Sequence, residues 1–184
     1  TTQIADAVQA LGKGYWDCTG DDTSSQLIIA VGTNNYGSYV TYEHGQAWAK
    51  MVNDINDWFK AKRYSQRVKA VGASDMELDW NCPAVTKDWV DGYMSEAQYD
   101  LYNFGDAEGG PVEEPKSDEE LCRPQKWNWK QSDVYYISYG ARGRYGARAF
   151  PAPQIYRTDG VQAWQWWSIS LYGCKYGYGP MEFV

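Results

Sequence analysis

Histidine and cysteine are scarce in this sequence of 184 residues. It has a single histidine, His44, and four cysteines without a C-x-x-C pair. A zinc site of cysteine and histidine ligands therefore has no spacing to support it, and we expect neither a metal nor another cofactor. No apolar run approaches the ~20 residues that a membrane-spanning helix needs, so membrane insertion is not expected either.

Several catalytic and nucleotide-binding motifs are also missing. Neither G-x-G-x-x-G nor G-x-x-x-x-G-K-[ST] follows a predicted strand, which argues against an open nucleotide-binding sheet. The G-x-S-x-G motif of serine hydrolases is absent, and no Ser-His or Cys-His signature accompanies His44. We therefore expect His44 to be a solvated residue in the first turn of a helix.

Positive charge is outnumbered in the chain. It has 17 Lys and Arg against 24 Asp and Glu, which gives a net charge of −7. This balance offers little electrostatic attraction for phosphate backbones or anionic lipids, so nucleic acid and membrane surfaces are not expected as partners. The length suits one compact core, and we expect a single domain over residues 1–184.

The four cysteines lie far apart, at Cys18, Cys82, Cys122 and Cys174. Their even number and wide spacing predict two disulfides in an oxidising compartment, with three pairings open. The chain also begins at Thr1 without Met, as a secreted protein does after signal removal. We therefore expect a secreted or cell-surface protein, and the alternative is a cytosolic domain with buried free thiols.

Strand-like and helix-like segments alternate along the chain. In the first part we expect strands at residues 26–32, 67–73 and 99–104. A helix is predicted at residues 44–59, where apolar side chains recur at helical spacing, and Pro83 opens a second amphipathic stretch. The acidic residues 105–120 predict a loop inside the domain. In the second part we expect strands at 134–139, 153–156 and 180–184, a tryptophan-rich helix at 160–171, and one more strand at 14–18.

This alternation predicts parallel βαβ units with right-handed crossovers. Seven strands are counted, one fewer than a complete (β/α)8 barrel, and the chain is shorter than the ~250 residues usual for that fold. We therefore predict an α/β fold, a compact or trimmed (β/α) barrel of TIM type with about seven or eight strands.

Three carboxylates recur with the period of a strand near the middle of the chain. In an extended segment Asp75, Glu77 and Asp79 lie on one face. Carboxyl groups that share a cavity move each other's pKa values apart, as an acid paired with a base or nucleophile requires. The alternative is a strand end that rises into solvent, where acidic residues are ordinary surface.

The segment Asp75-Met76-Glu77 resembles the D-x-E strand of family 25 glycoside hydrolases, the secreted lysozyme-type muramidases. Gly14-Tyr15-Trp16-Asp17 is similar to their first strand, and the wider sequence is similar to secreted glycoside-hydrolase-like bacterial proteins. The resemblance implies a barrel in which Glu77 is the general acid. It further implies that Asp75 stabilises an oxocarbenium or assists attack, and that Asp17 adds a carboxylate at the barrel mouth.

The aromatic content, 16% of the chain, suits sugar recognition, because ring faces stack on pyranose rings while amides and carboxylates bind hydroxyls. The candidate substrate-binding residues are Asn34, Asn35, Tyr36, Asp79, Trp80, Tyr102, Tyr139, Gln154, Tyr156, Gln165 and Trp166. The alternative is that Trp and Tyr fill the core, as we expect for Trp48, Trp58, Trp89 and Trp164.

The sequence thus predicts a secreted protein directed at a polysaccharide such as peptidoglycan, with hydrolysis by a carboxylate pair. One alternative is a glycan-binding module without catalysis. The other is a structural subunit of a surface assembly, with aromatic residues and charged loops as self-association interfaces.

Overall fold

A computed structural model describes residues 2–20, 22–107 and 129–184. Cys122 and most of the acidic segment predicted as a loop lie outside the described residues. The elements in chain order are α1 (Thr2–Thr19), β1 (Leu27–Asn34), α2 (Tyr42–Ala61), β2 (Val68–Asp75), α3 (Pro83–Glu96), β3 (Leu101–Asn103), α4 (Gln131–Tyr135), a π-helical turn (Tyr136–Gly140), β4 (Ala149–Pro151) and α5 (Val161–Lys175).

The strands form one all-parallel sheet in the order β1-β2-β3-β4. β1 and β2 pair along their full lengths, with Asn34 opposite Asp75 at the end. β3 has only three residues, so it leaves the first part of β2 without a strand partner on that side. The side chain of Asn56 in α2 takes this place, accepting from Ala70 N and donating to Ala70 O, both at 2.9 Å.

β1 forms one edge of this sheet and is covered on one face only. Val31 packs into the core, while Ile28 is 49% exposed. Ala30 and Gly32, which share the face of Ile28, are exposed as well. The period-two pattern is that of a strand whose second face is open.

The helix predicted at 44–59 is confirmed as α2. The Thr41 side chain caps its start by accepting from His44 N at 3.1 Å. Its apolar face is fully buried, with Ile55 and Phe59 at 0% exposure, and the indole of Trp48 donates to Val31 O at 2.9 Å. The helical spacing of apolar residues therefore identified both the helix and its buried face.

α2 and α3 pack backbone to backbone where each presents a glycine to the other. A Cβ added to Gly45 would lie 2.0 Å from Trp89 O, and one added to Gly92 would lie 2.0 Å from Tyr42 O. No side chain larger than hydrogen fits at either position without moving a helix.

The prediction of a seven- or eight-stranded TIM-type barrel is wrong. The described residues contain four strands in one open sheet. The predicted strand at 14–18 is the last part of α1, where Val8 and Gly12 bury one helical face. The predicted strand at 134–139 is α4 and the π-helical turn, in which Val134, Ile137 and Tyr139 are buried. A short run of β-branched and aromatic residues does not distinguish a strand from a buried helical segment.

The last two predicted strands are wrong as well. Residues 153–156 are irregular, and the strand of this region is β4, which begins four residues earlier, at Ala149. Residues 180–184 are irregular, although Val184 N donates to Pro151 O at 3.0 Å beside β4. The helix predicted at 160–171 is confirmed as α5.

The two predicted disulfides are also contradicted. Cys18 and Cys174 are exposed, Cys82 is half-buried, and all three are free thiols. Any arrangement of four cysteines in two disulfides needs at least one bond between two of these three, and none exists. The disulfide argument for an oxidising compartment therefore no longer holds.

The tryptophans predicted to fill the core do so in part. Trp48 and Trp89 are core residues as predicted, whereas Trp164 is 46% exposed, so its assignment to the core is wrong. Among the described helices, none combines the length and apolar character required to span a bilayer.

Candidate functional site

Three carboxyl groups meet at the carboxyl-terminal edge of the sheet. Asp75 is the last residue of β2, Glu77 follows two residues later, and Asp106 follows the end of β3. Parallel strands end at the same edge, which brings these groups together. Side-chain hydrogen bonds join Glu77 to both Asp75 and Asp106, and Asp106 N donates to Glu77 Oε1 at 3.3 Å.

The surroundings of this carboxyl cluster favour a proton on Glu77. Burial is the largest cause that raises the pKa of Glu77, to about 8, and the charge of Asp106 adds to it. Burial likewise raises the pKa of Asp75, although the hydrogen bond from Glu77 opposes that shift. At neutral pH the cluster therefore holds a protonated Glu77, whose single O–H donates to a neighbouring carboxylate.

The chain beyond β2 turns away from the cluster. Leu78 is buried while Asp79 is exposed in the turn before α3. Period-two geometry stops where the strand stops, so the third carboxylate that joins Asp75 and Glu77 is Asp106 rather than Asp79.

Asn35 fixes the backbone of Glu77. Its amide donates to Glu77 O at 3.0 Å and to Thr86 Oγ1 at 3.1 Å, and its Oδ1 accepts from Glu77 N at 3.0 Å. The amide of Asn81 in turn donates to Asn35 O at 3.1 Å. Asn35 is 2% exposed, so it positions the acid and is not available to a substrate as predicted.

Two glutamines contact the carboxyl cluster from the carboxyl-terminal part of the chain. Gln154 Nε2 donates to Asp75 Oδ1, and Gln162 Nε2 donates to Asp106 Oδ2, both at 3.3 Å. Gln162 Oε1 also accepts from Tyr156 N at 2.6 Å and from Arg157 N at 3.0 Å. Gln162 therefore ties the loop after β4 to the cluster.

Aromatic rings lie on loops on either side of the cluster. Tyr36, after β1, is 61% exposed and meets Trp80 edge to face at 6.1 Å between ring centroids. Tyr156, after β4, is 74% exposed. Asn34 ends β1 and accepts from Tyr36 N at 3.0 Å. The structure thus places Asn34, Tyr36, Trp80 and Tyr156 at the same edge of the sheet as the carboxyl groups.

Other predicted binding residues are structural. Tyr102 packs edge to face on Phe150 at 6.3 Å. Tyr139 is 6% exposed, and its hydroxyl accepts from Arg148 Nη2 at 3.1 Å. Gln165 and Trp166 are buried in the inner face of α5. None of the four is therefore offered to a ligand at the carboxyl cluster.

Asp17 lies at the opposite edge of the sheet. It is an exposed residue of α1, ion-paired with Lys13, and the adjacent Trp16 ring lies 4.3 Å from the guanidinium carbon of Arg67. Arg67 precedes β2, whose eight residues extend for about 25 Å. Asp17 therefore cannot share a site with Asp75 and Glu77.

Asp106 and Gln162 belong to the site but are not among the residues predicted from the sequence. Asp106 follows the strand predicted at 99–104, and polar residues directly after a parallel strand belong to the ligand-binding edge, so its position was a usable signal. The sequence gives no comparable signal for Gln162, because its partner Asp106 is 56 residues away and its other partners lie in an irregular loop before α5.

His44 is not a solvated residue as predicted. It is half-buried, and Nδ1 accepts from the indole of Trp89 at 3.1 Å, while burial lowers its pKa. It lies at the start of α2 and belongs to the helix packing rather than to the carboxyl cluster. Within the described part of the chain, no three His, Cys, Asp or Glu residues are arranged to hold a metal ion.

Comparisons with protein families, with curated proteins and with solved structures give no match to this chain.

Proposed function

We propose that this protein hydrolyses glycosidic bonds of a polysaccharide, with Glu77 as the general acid. The observation that supports this proposal is the half-buried Glu77 carboxyl, which contacts two other carboxyl groups and has its pKa raised to about 8. A carboxylic acid that keeps its proton at neutral pH can protonate the oxygen of the leaving sugar.

The spacing of the carboxyl groups bears on the mechanism. Paired carboxyls stand about 5–5.5 Å apart in retaining glycosidases and about 6.5–9.5 Å apart in inverting ones, to leave room for the sugar or for a water. Asp75 and Glu77 are in direct hydrogen-bond contact, so they do not flank a bond in either way. Asp75 instead holds the proton of Glu77 in place and adds negative charge next to an oxocarbenium-like transition state.

A substrate that carries its own nucleophile satisfies this geometry. The carbonyl oxygen of a 2-acetamido group can bond to the anomeric carbon as the glycosidic bond breaks and Glu77 gives its proton to the leaving oxygen. Water then opens the cyclic intermediate and restores the proton to Glu77. We therefore favour polymers of N-acetylated amino sugars, among them cell-wall peptidoglycan, which would place the protein outside the cytoplasm.

Recognition of the sugar would come from three aromatic rings, of which Tyr36 and Tyr156 are exposed and Trp80 is half-buried. Tyr36 and Trp80 lie on the side of β1 and β2, and Tyr156 lies on the side of β4, where their faces can stack on pyranose rings. Asn34 can bind a hydroxyl group.

The test is the release of reducing ends from peptidoglycan, chitin and cellulose by the native protein and by Glu77→Gln. We expect cleavage of the N-acetylated polymers by the native protein and a loss of at least about 100-fold in the variant. Glu43→Gln is the matched control, because Glu43 is an exposed glutamate in the first turn of α2. Equal rates for Glu77→Gln and the native protein would refute the acid role.

A glycan-binding module without catalysis is the second candidate, and the direct contact between Asp75 and Glu77 favours it. In that case the polymers bind and are not cleaved between about pH 4 and pH 8, and Glu77→Gln binds as the native protein does. Binding without turnover therefore selects this function over hydrolysis.

A further inference from the structure

A second concave site lies on the helical side of the molecule. It has a volume of about 510 Å³ and lies between α3, the α4 segment with its π-helical turn, and the last part of α5 with the residues that follow it. Its principal lining residues are Lys87, Asp91, Tyr135, Tyr136, Tyr172 and Tyr178. None of them belongs to the carboxyl cluster, and the volume is within the range of small-ligand sites. We call it the tyrosine groove.

The aromatic wall of the tyrosine groove is held by the backbone. Tyr172 and Tyr178 have ring centroids 6.4 Å apart at an interplanar angle of 26°. The hydroxyl of Tyr135 donates to Tyr178 O at 3.2 Å and to Gly179 O at 3.0 Å. Tyr178 is nonetheless 65% exposed, so a well-positioned ring face is open to a ligand.

The opposite wall carries both a hydrogen-bond donor and an acceptor. The ammonium of Lys87 donates to Asp133 Oδ1 at 3.0 Å and lies 5.5 Å from the ring centroid of Tyr136. The hydroxyl of Tyr136 donates to Asp91. An ammonium has three donors and a carboxylate has about four acceptor positions, so Lys87 and Asp91 both keep capacity for a ligand.

These features distinguish three classes of ligand. An organic cation would suit the rings, but it offers no acceptor for the remaining donors of Lys87. A purely apolar ligand would remove Lys87 and Asp91 from water without giving them new partners. A sugar offers an apolar ring face to tyrosines, and its hydroxyl groups both donate to Asp91 and accept from Lys87.

We infer that the tyrosine groove is a carbohydrate-binding site, separate from the carboxyl cluster, which holds one or two pyranose units of a polysaccharide against Tyr172 and Tyr178. It shares its class of ligand with the proposed function but not its residues. The groove would attach the protein to a polymer whether or not the carboxyl cluster cleaves it.

The test is titration of the native protein with chitohexaose and with cellohexaose, measured by calorimetry and by NMR shifts of backbone amides. We expect saturable binding of at least one of them, with the largest shifts at residues 172–179. Tyr178→Ala should weaken this binding at least about tenfold, whereas Tyr178→Phe should keep it, because the ring face is retained. Tyr145→Ala is the matched control, since Tyr145 is 56% exposed and does not line the groove.

Three results would overturn the inference: neither oligosaccharide binds at about 10 mM, Tyr145→Ala weakens binding as much as Tyr178→Ala, or choline binds at Tyr178 while the sugars do not. Should Tyr178→Ala fail to fold, the amide shifts of the native protein decide. Glu77→Gln separates the two sites. If Glu77→Gln loses cleavage and still binds sugar at residues 172–179, both proposals are supported. If the single substitution Glu77→Gln abolishes all sugar binding, the tyrosine groove is refuted.

Discussion

Replacing Glu77 by glutamine should stabilise the fold at alkaline pH and change it little at acidic pH. Glutamine has nearly the shape of protonated glutamic acid, and its amide can donate to Asp75 as the Glu77 carboxyl does. The variant therefore removes mainly the ionised state of this side chain.

The magnitude follows from the pKa of Glu77, which rises from 4.5 in the unfolded chain to about 8 in the folded protein. A carboxyl group with a raised pKa contributes stability that is fully present below the unfolded value and is lost as the pH rises through the folded value. The full shift corresponds to about 5 kcal/mol. Because solvent reaches part of this carboxyl, screening reduces the expected difference at high pH to about 2 kcal/mol.

The assay is urea denaturation of the native protein and of Glu77→Gln at about pH 5, pH 7 and pH 9. We expect similar free energies of unfolding at the lowest pH and a growing advantage for the variant above it. Asp75 and His44 titrate in both proteins and largely cancel in the comparison, and Glu43→Gln reports the effect of losing an exposed charge. A difference that stays constant with pH, or a native protein that is the more stable one at the highest pH, would refute the assignment of the raised pKa to Glu77.

Three further predictions concern the helices. Ile55→Asp should cost several kcal/mol in free energy of unfolding, because Ile55 is 0% exposed, whereas Asp57→Ala on the exposed side of α2 should stay within about 0.5 kcal/mol. Gly45→Ala should cost about 3 kcal/mol in free energy of unfolding, because its Cβ would lie 2.0 Å from Trp89 O. Gly14→Ala in α1 has open space around it and should be neutral or stabilising by about 0.5–1 kcal/mol. Equal effects of the two substitutions would contradict the close contact between α2 and α3. Burial lowers the pKa of His44, so its contribution to stability is present above about pH 6.5 and is lost as the pH falls below that value. The melting temperatures of the native protein and of His44→Asn should therefore converge at acidic pH, and a difference that does not change with pH would contradict this.

The sequence predicts some elements of this fold better than others. β1 and β2 were found because each is a short β-branched, apolar run, and α2 was found because its apolar residues follow helical spacing. α4 and the π-helical turn were missed because nearly all sides of that segment are buried, which leaves no periodicity to read. The barrel was wrong because short runs such as 180–184 were each counted as a strand.

For the candidate site, the sequence supplies Asp75 and Glu77, which are two residues apart. It does not supply what makes them unusual. Burial of Glu77 and its contact with Asp106 depend on how β2 and β3 end side by side, and the bond from Gln162 to Asp106 joins residues from distant parts of the chain. Such features depend on tertiary structure and have no local pattern.

The position of β1 at the edge of the sheet has a consequence for hydrogen exchange. Leu27 N donates to Arg67 O at 2.8 Å and Asn35 N donates to Asp75 O at 3.1 Å, so the odd-numbered amides of β1 point toward β2. The intervening amides, at Ile28, Ala30 and Gly32, point to the open edge. Exchange along this strand should therefore alternate residue by residue between slow and fast. Successive amides of β1 would then differ in protection although they belong to one element.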